Sequence, residues 1–163
     1  MAPLIVMLAA WCGARLIGAI GHLRTAASTV GALRLALAIM FLFTGASHFL
    51  PNTRLDLVRM VPSVLPYPEH LVTVTGILQL AGAIGLLIPR FTTPAAYCLA
   101  ALLVAMFPAN AYAALLGVEF GGRPASSLIW RLPLQLFWIA ALVWVARAHR
   151  TPRGLDAWSA PTV

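Results

Sequence analysis

The side chains in this sequence that could do chemistry are few, and they fall inside segments that otherwise read as hydrocarbon. Thr44 and His48 lie four apart, as do Thr75 and Gln79, and as do Arg131 and Gln135. Residues four apart share one face of a helix. Asn110 stands two residues after Pro108 within ALLVAMFPANAYAALLG (101–117). An imidazole, a guanidinium and three amides can hydrogen-bond a ligand oxygen or one another. Near neutral pH only His48, with His70 as a second candidate, can move a proton.

The templates of enzyme chemistry are missing. The sequence has no GxGxxG, P-loop, HExxH or GxSxG, the motifs that would point to nucleotides, zinc or an activated serine. Acid–base chemistry of the glycosidase type needs two buried carboxylates, and the apolar segments hold none. Cys12 and Cys98 are the only cysteines, far apart and each inside an apolar run. That spacing argues against a disulfide framework, a CxxC pair or a zinc site, and both are expected to be packing residues. No metal is expected.

The elements that must position these residues follow from composition. Of 163 residues, 61% are hydrophobic and 9% charged, with a mean hydropathy of +0.91. Soluble domains carry about 25% charged residues, so a lipid bilayer is the expected solvent. The pI of about 11.1 does not point to nucleic acid, because the arginines are scattered at segment ends and never clustered with aromatics. A membrane helix needs about 20 mostly apolar residues. Four stretches qualify, at about 31–50, 70–88, 94–117 and 128–146.

Breaks separate them. PNTRLDLVRMVPSVLPYPE (51–69) reads as a turn-rich loop, PRFTT (89–93) as a tight connection, and GVEFGGRPASS (117–127) as a polar loop. PLIVMLAAWCGARLIGAI (3–20) is apolar but lacks the positive start of a signal peptide. It reads as a fifth membrane helix or an interfacial one. The expected organisation is thus an N-terminal apolar helix and linker over 1–30, a four-helix membrane domain over 31–146, and a polar, mobile tail over 147–163.

Orientation follows from arginine. With the residues before Gly31 in the cytoplasm, Arg15, Arg24, Arg34, Arg90, Arg147, Arg150 and Arg153 fall inside, and Arg54, Arg59, Arg123 and Arg131 outside. The C-terminus is then cytoplasmic. Under this topology the polar residues of all four helices converge on one half of the membrane: His48, Gln79 some 14 Å into its helix, Asn110, and Arg131 with Gln135. The other half offers little beyond snorkelling arginines. Pro108 denies a hydrogen bond to the Val104 carbonyl and is expected to kink its helix, turning Asn110 inward. Gly76, Ala81, Gly82 and Gly85 give helix 70–88 a flank for close packing.

Each residue also has a plainer role open to it. His48 can cap its helix or bond a loop carbonyl, Gln79 and Asn110 can be interhelical glue, and Arg131 can reach for head groups.

LALAIMFLFTGASHFLP (35–51), MVPSVLPYPEHLVTVTGILQLAGAIGLLIPR (60–90), FPANAY (107–112) and RLPLQLFWIAALVW (131–144) together resemble the DoxX family of small bacterial membrane proteins. The resemblance covers the four spans, about two thirds of the chain. It implies an all-α, membrane four-helix bundle in the bacterial inner membrane, here with an additional N-terminal helix. It also implies recurrent polar positions at His48, Asn110, Arg131 and Gln135. Many relatives carry a glutamate where this chain has Gln79, and an amide cannot exchange a proton.

Two functions are expected from this reading. In the first, the protein is a quinone-linked or redox-associated subunit. His48 and Arg131 bond a quinone carbonyl, Gln79, Asn110 and Gln135 orient them, and a partner redox enzyme supplies the electrons, with no intrinsic cofactor. In the alternative, it is a non-enzymatic bundle that binds or helps assemble another membrane protein or a lipid.

Overall fold

The computed structural model describes residues 2–19, 27–120, 122–124 and 127–150. Among these the chain is almost wholly helical: α1 (Ala2–Ala19), α2 (Thr29–Ser47), α3 (Pro51–Met60), α4 (Pro68–Leu87), α5 (Thr92–Leu115) and α6 (Leu128–Arg150). A single 3₁₀ turn, Pro89–Phe91, joins α4 to α5. Glu119–Phe120 and Arg123–Pro124 form a two-residue antiparallel pair, Glu119 opposite Pro124, with Gly122 supplying the positive φ of 71° that the turn needs. Four helical stretches are long and apolar enough to cross a membrane: Thr29–Ser47, Pro68–Leu87, Pro89–Leu115 and Leu128–Arg150. By that length and composition the chain is a membrane protein.

The four spans form a ring. α2 packs on α4, α4 on α5, α5 on α6, and a lighter α2–α6 contact closes it. Leu37, Met40 and Phe41 of α2 meet Leu86 of α4, Leu99 of α5, and Leu142 and Val145 of α6 in one continuous core. Outward-facing apolar side chains such as Phe43, Ile77, Val104 and Phe137 stay exposed, as suits helices whose surroundings are hydrocarbon. α1 lies along α2, burying Met7 and Ala14.

Glycines set the tightest contacts, as the spacing on α4 predicts. A Cβ on Gly76 would sit 2.7 Å from the Cβ of His48, and one on Gly85 would sit 2.7 Å from that of Ala95. Gly82 admits the Leu99 side chain. Ala81 differs from its neighbours: it is exposed.

Three expectations need correction. The segment after His48 is not loop throughout, because Pro51 to Met60 form α3. Pro51 stands at the helix start, where a missing N–H costs nothing and its fixed φ is helical, and the next proline comes only at residue 62. The polar tail begins later than residue 147, since α6 continues to Arg150, with Arg147, His149 and Arg150 complementing the carbonyl end of the helix. Residues 151–163 lie outside the described residues. Cys12 and Cys98 are exposed, not packed inside.

Candidate functional site

α2 ends at Ser47, and His48 is its C-terminal cap residue, only 4% exposed. The ring reaches across to α4 because Gly76 has no side chain to hold the two backbones apart. His48 Nδ1 lies 2.9 Å from the Val72 carbonyl. A carbonyl only accepts, so Nδ1 carries the proton, and in the neutral ring Nε2 is then an acceptor. Gln79 Nε2 sits 3.4 Å from that Nε2 and donates to it. The other end of the same amide, Oε1, accepts from the Thr44 hydroxyl at 2.9 Å. Thr75 Oγ1 stands 3.4 Å from His48 Nδ1 while donating back to the Leu71 carbonyl at 2.8 Å. The expected face-sharing pairs, Thr44 with His48 and Thr75 with Gln79, therefore interlock across the α2–α4 seam.

A second group lies on the α5–α6 seam. Arg131 Nη1 donates to Asn110 Oδ1 at 3.3 Å. One turn deeper, Gln135 Nε2 donates to the Leu103 carbonyl at 2.6 Å. Pro108 lies inside α5, which continues as helix through it to Leu115. The carbonyl expected to lose its partner belongs to Val104. The amide that reaches this stretch from α6 engages its neighbour at Leu103.

The five predicted residues, His48, Gln79, Asn110, Arg131 and Gln135, thus occupy one half of the bundle, as the topology requires. They form two groups, not one. α5 stands between them, and Met106 is its point of contact with the first, its sulfur 3.4 Å from Gln79 Nε2. His48, Gln79 and Gln135 are buried, at 4%, 4% and 5% exposure. Arg131 and Asn110 are half-buried. Glu69 and His70 are exposed at the start of α4, as expected.

Over this end lies α3. Arg54 donates to the His48 carbonyl at 3.3 Å, to the Glu69 carbonyl at 3.3 Å and to Thr73 Oγ1 at 2.9 Å. It stitches α3 to the ends of α2 and α4, a role with no counterpart in a reading of 51–60 as loop. Among the described residues no group of three His, Cys, Asp or Glu side chains could hold a metal ion.

Two surface grooves lie away from these residues. One, of about 750 Å³, runs between α4 and α5 and is lined mostly by small side chains, among them Ala81, Gly82, Gly85, Ala95, Cys98 and Ala101. The other, of about 500 Å³, lies between α1, α2 and α6, with Trp11, Phe137 and Trp144 in its walls. None of the five candidate residues lines either groove.

A family model described as a domain of unknown function, DUF8561, matches residues 37–146. The chain belongs to the DUF8561 family. The matched segment runs from within α2 to the last turns of α6, so it holds both hydrogen-bonded seams and all five candidate residues, and it leaves out α1 and Arg34. No curated protein and no solved structure matches the chain.

Proposed function

We propose that this DUF8561 protein is a non-enzymatic membrane bundle that binds or helps assemble another membrane protein. The observation that carries the reading is the internal pairing of the five candidate side chains. Both ring nitrogens of His48 are engaged, Gln79 is held at both ends of its amide, and Gln135 and Arg131 are spent on α5. Groups paired in this way fix helix register and leave little for a substrate. Of the two surface grooves, the one between α4 and α5 is lined mostly by small residues. Its small residues let a foreign helix approach closely, the geometry that favours association inside a bilayer.

The same reading takes the bundle to be DoxX-like and set in a bacterial inner membrane, with its C-terminus in the cytoplasm; the arginine bias supports that orientation. It takes α1 as a fifth span, supported by its packing along α2 and by 18 residues that reach about 27 Å. Photocrosslinking tests the central part. A benzophenone residue at Ala101, within the groove, is expected to give a discrete protein adduct in native membranes. One at Phe43, exposed on α2, is expected to give none. Indistinguishable products from both positions would refute the groove as the contact surface.

A quinone-linked role is the second reading, and one observation favours it. Trp138 Nε1 is fully enclosed and has no hydrogen-bond partner among the described residues. It lies three residues beyond Gln135, on the same side of α6. A buried donor without an acceptor costs free energy, and a ligand carbonyl would supply one. Saturable quinone binding that is lost in Trp138→Phe supports this reading. Purified protein that neither retains nor binds quinone contradicts it.

A further inference from the structure

The half of the bundle expected to carry little beyond snorkelling arginines holds a buried one. Arg34, on α2, is 8% exposed. It faces inward because it shares a face with Leu37 and Phe41, both core residues. Its Nη1 donates to Thr92 Oγ1 at 3.4 Å and stands 3.2 Å from His149 Nε2. Thr92 is fully buried, and its hydroxyl is within 3.2 Å of the Leu86 and Ile88 carbonyls. It therefore gives its proton to the backbone and offers Arg34 a lone pair. His149 likewise accepts from the guanidinium, so it contributes no negative charge.

Both contacts use Nη1. The remaining N–H groups, on Nη2 and Nε, bond no described residue, and among the described residues Trp138 Nε1 alone is fully enclosed without a partner. The free edge of the guanidinium is therefore not sealed off by those residues. No carboxylate among the described residues bonds Arg34, and Asp56 and Glu69 lie in α3 and at the start of α4, at the other end. The Arg34 end carries Arg15, Arg90, Arg147 and Arg150 as well. A cation this buried, given no counter-charge by the described residues, is costly. An anion presented to its free edge would offset that cost.

We propose that Arg34, flanked by Thr92 and His149, binds a phosphate group at the arginine-rich end of the bundle. The guanidinium fork matches two phosphate oxygens. Arg34 lies five residues into α2, about 7–8 Å along its axis, a depth at which acidic phospholipid head groups meet their acyl chains. The source of the phosphate is either such a lipid or a free phosphate ion.

The test uses the full-length protein, delipidated in detergent, with three probes: dioleoyl phosphatidylglycerol, dioleoylglycerol with the same chains, and inorganic phosphate. Binding is read by native mass spectrometry and by the shift in unfolding temperature. The expected result is that phosphatidylglycerol binds roughly tenfold tighter than dioleoylglycerol, that Arg34→Gln removes this preference, and that the exposed-site change Arg90→Gln retains most of it. Saturable stabilisation by inorganic phosphate, lost in Arg34→Gln, assigns the same site to free phosphate. If Arg34→Gln does not fold, Arg34→Lys is expected to weaken phosphatidylglycerol binding several-fold, because it keeps the charge but loses the fork. The proposal is overturned if phosphatidylglycerol and dioleoylglycerol bind alike while phosphate has no effect. It is equally overturned if Arg90→Gln matches Arg34→Gln, or if the Arg34 variants bind as the wild type does.

Discussion

Gln79 donates from Nε2 to the Nε2 of His48 across 3.4 Å, while its Oε1 accepts from Thr44. One amide thus clasps two turns of α2 from a single position on α4. A glutamine does this with no charge and no proton to exchange, so the amide itself holds the two helices in register without titrating. The residue that makes the approach possible is Gly76, whose absent side chain leaves room for His48.

Gly76→Ala is expected to destabilise the bundle by about 1–3 kcal/mol, the usual cost of overpacking a tight contact. The new methyl would lie 2.7 Å from the His48 Cβ, an atom fixed to its backbone. Gly13→Ala is the contrasting case. Beyond its chain neighbours and its own helix backbone, no atom of the described residues lies within 4 Å of a Cβ there, so the higher helix propensity of alanine is expected to leave stability unchanged or raise it by up to about 1 kcal/mol. Unfolding free energies in mixed micelles check both.

The two seams are expected to fail independently. Gln135→Leu leaves the Leu103 carbonyl without its 2.6 Å donor, at a cost of about 0.6–2 kcal/mol for a hydrogen bond between membrane helices. Asn110→Ala removes the amide that accepts from Arg131, with a similar cost. No hydrogen bond joins either residue to Gln79 among the described residues, so combining Gln135→Leu with Gln79→Leu should give losses that add to within about 0.5 kcal/mol. A clear departure from additivity would mean that the seams are coupled through Met106 and α5.

Cysteine accessibility tests where α1 lies. Cys98, nearly two turns into α5, and Cys12, near the middle of α1, are both exposed. If α1 crosses the bilayer, a membrane-impermeant maleimide leaves both unmodified in intact vesicles and labels both in SDS. Rapid labelling of Cys12 alone in intact vesicles would place α1 at the interface.

Much of the architecture was legible because span length and arginine placement are long-range signals that a bilayer enforces. The four spans, their alternation and the gathering of His48, Gln79, Asn110, Arg131 and Gln135 in one half follow from these alone. Which residues touch does not, because it depends on rotation about each helix axis. That rotation pairs His48 with Gln79 and Arg131 with Asn110, and it keeps the two pairs apart. Arg34 escaped notice for a related reason. An arginine near the start of a span reads as snorkelling, and only its i+3 and i+7 relation to Leu37 and Phe41 marks it as inward. α3 was hidden by the prolines around it, although Pro51 stands at the one helical position that favours proline.

The measurement closest to the central claim is a double-mutant cycle on unfolding free energy with Thr44→Val and Gln79→Leu. If Gln79 serves to clasp α2 to α4, the Gln79→Leu change alone costs about 1–2 kcal/mol, and the pair couples by about 0.6–1.7 kcal/mol. Full stability in Gln79→Leu, with no coupling to Thr44, would contradict the claim and leave this amide available for a ligand.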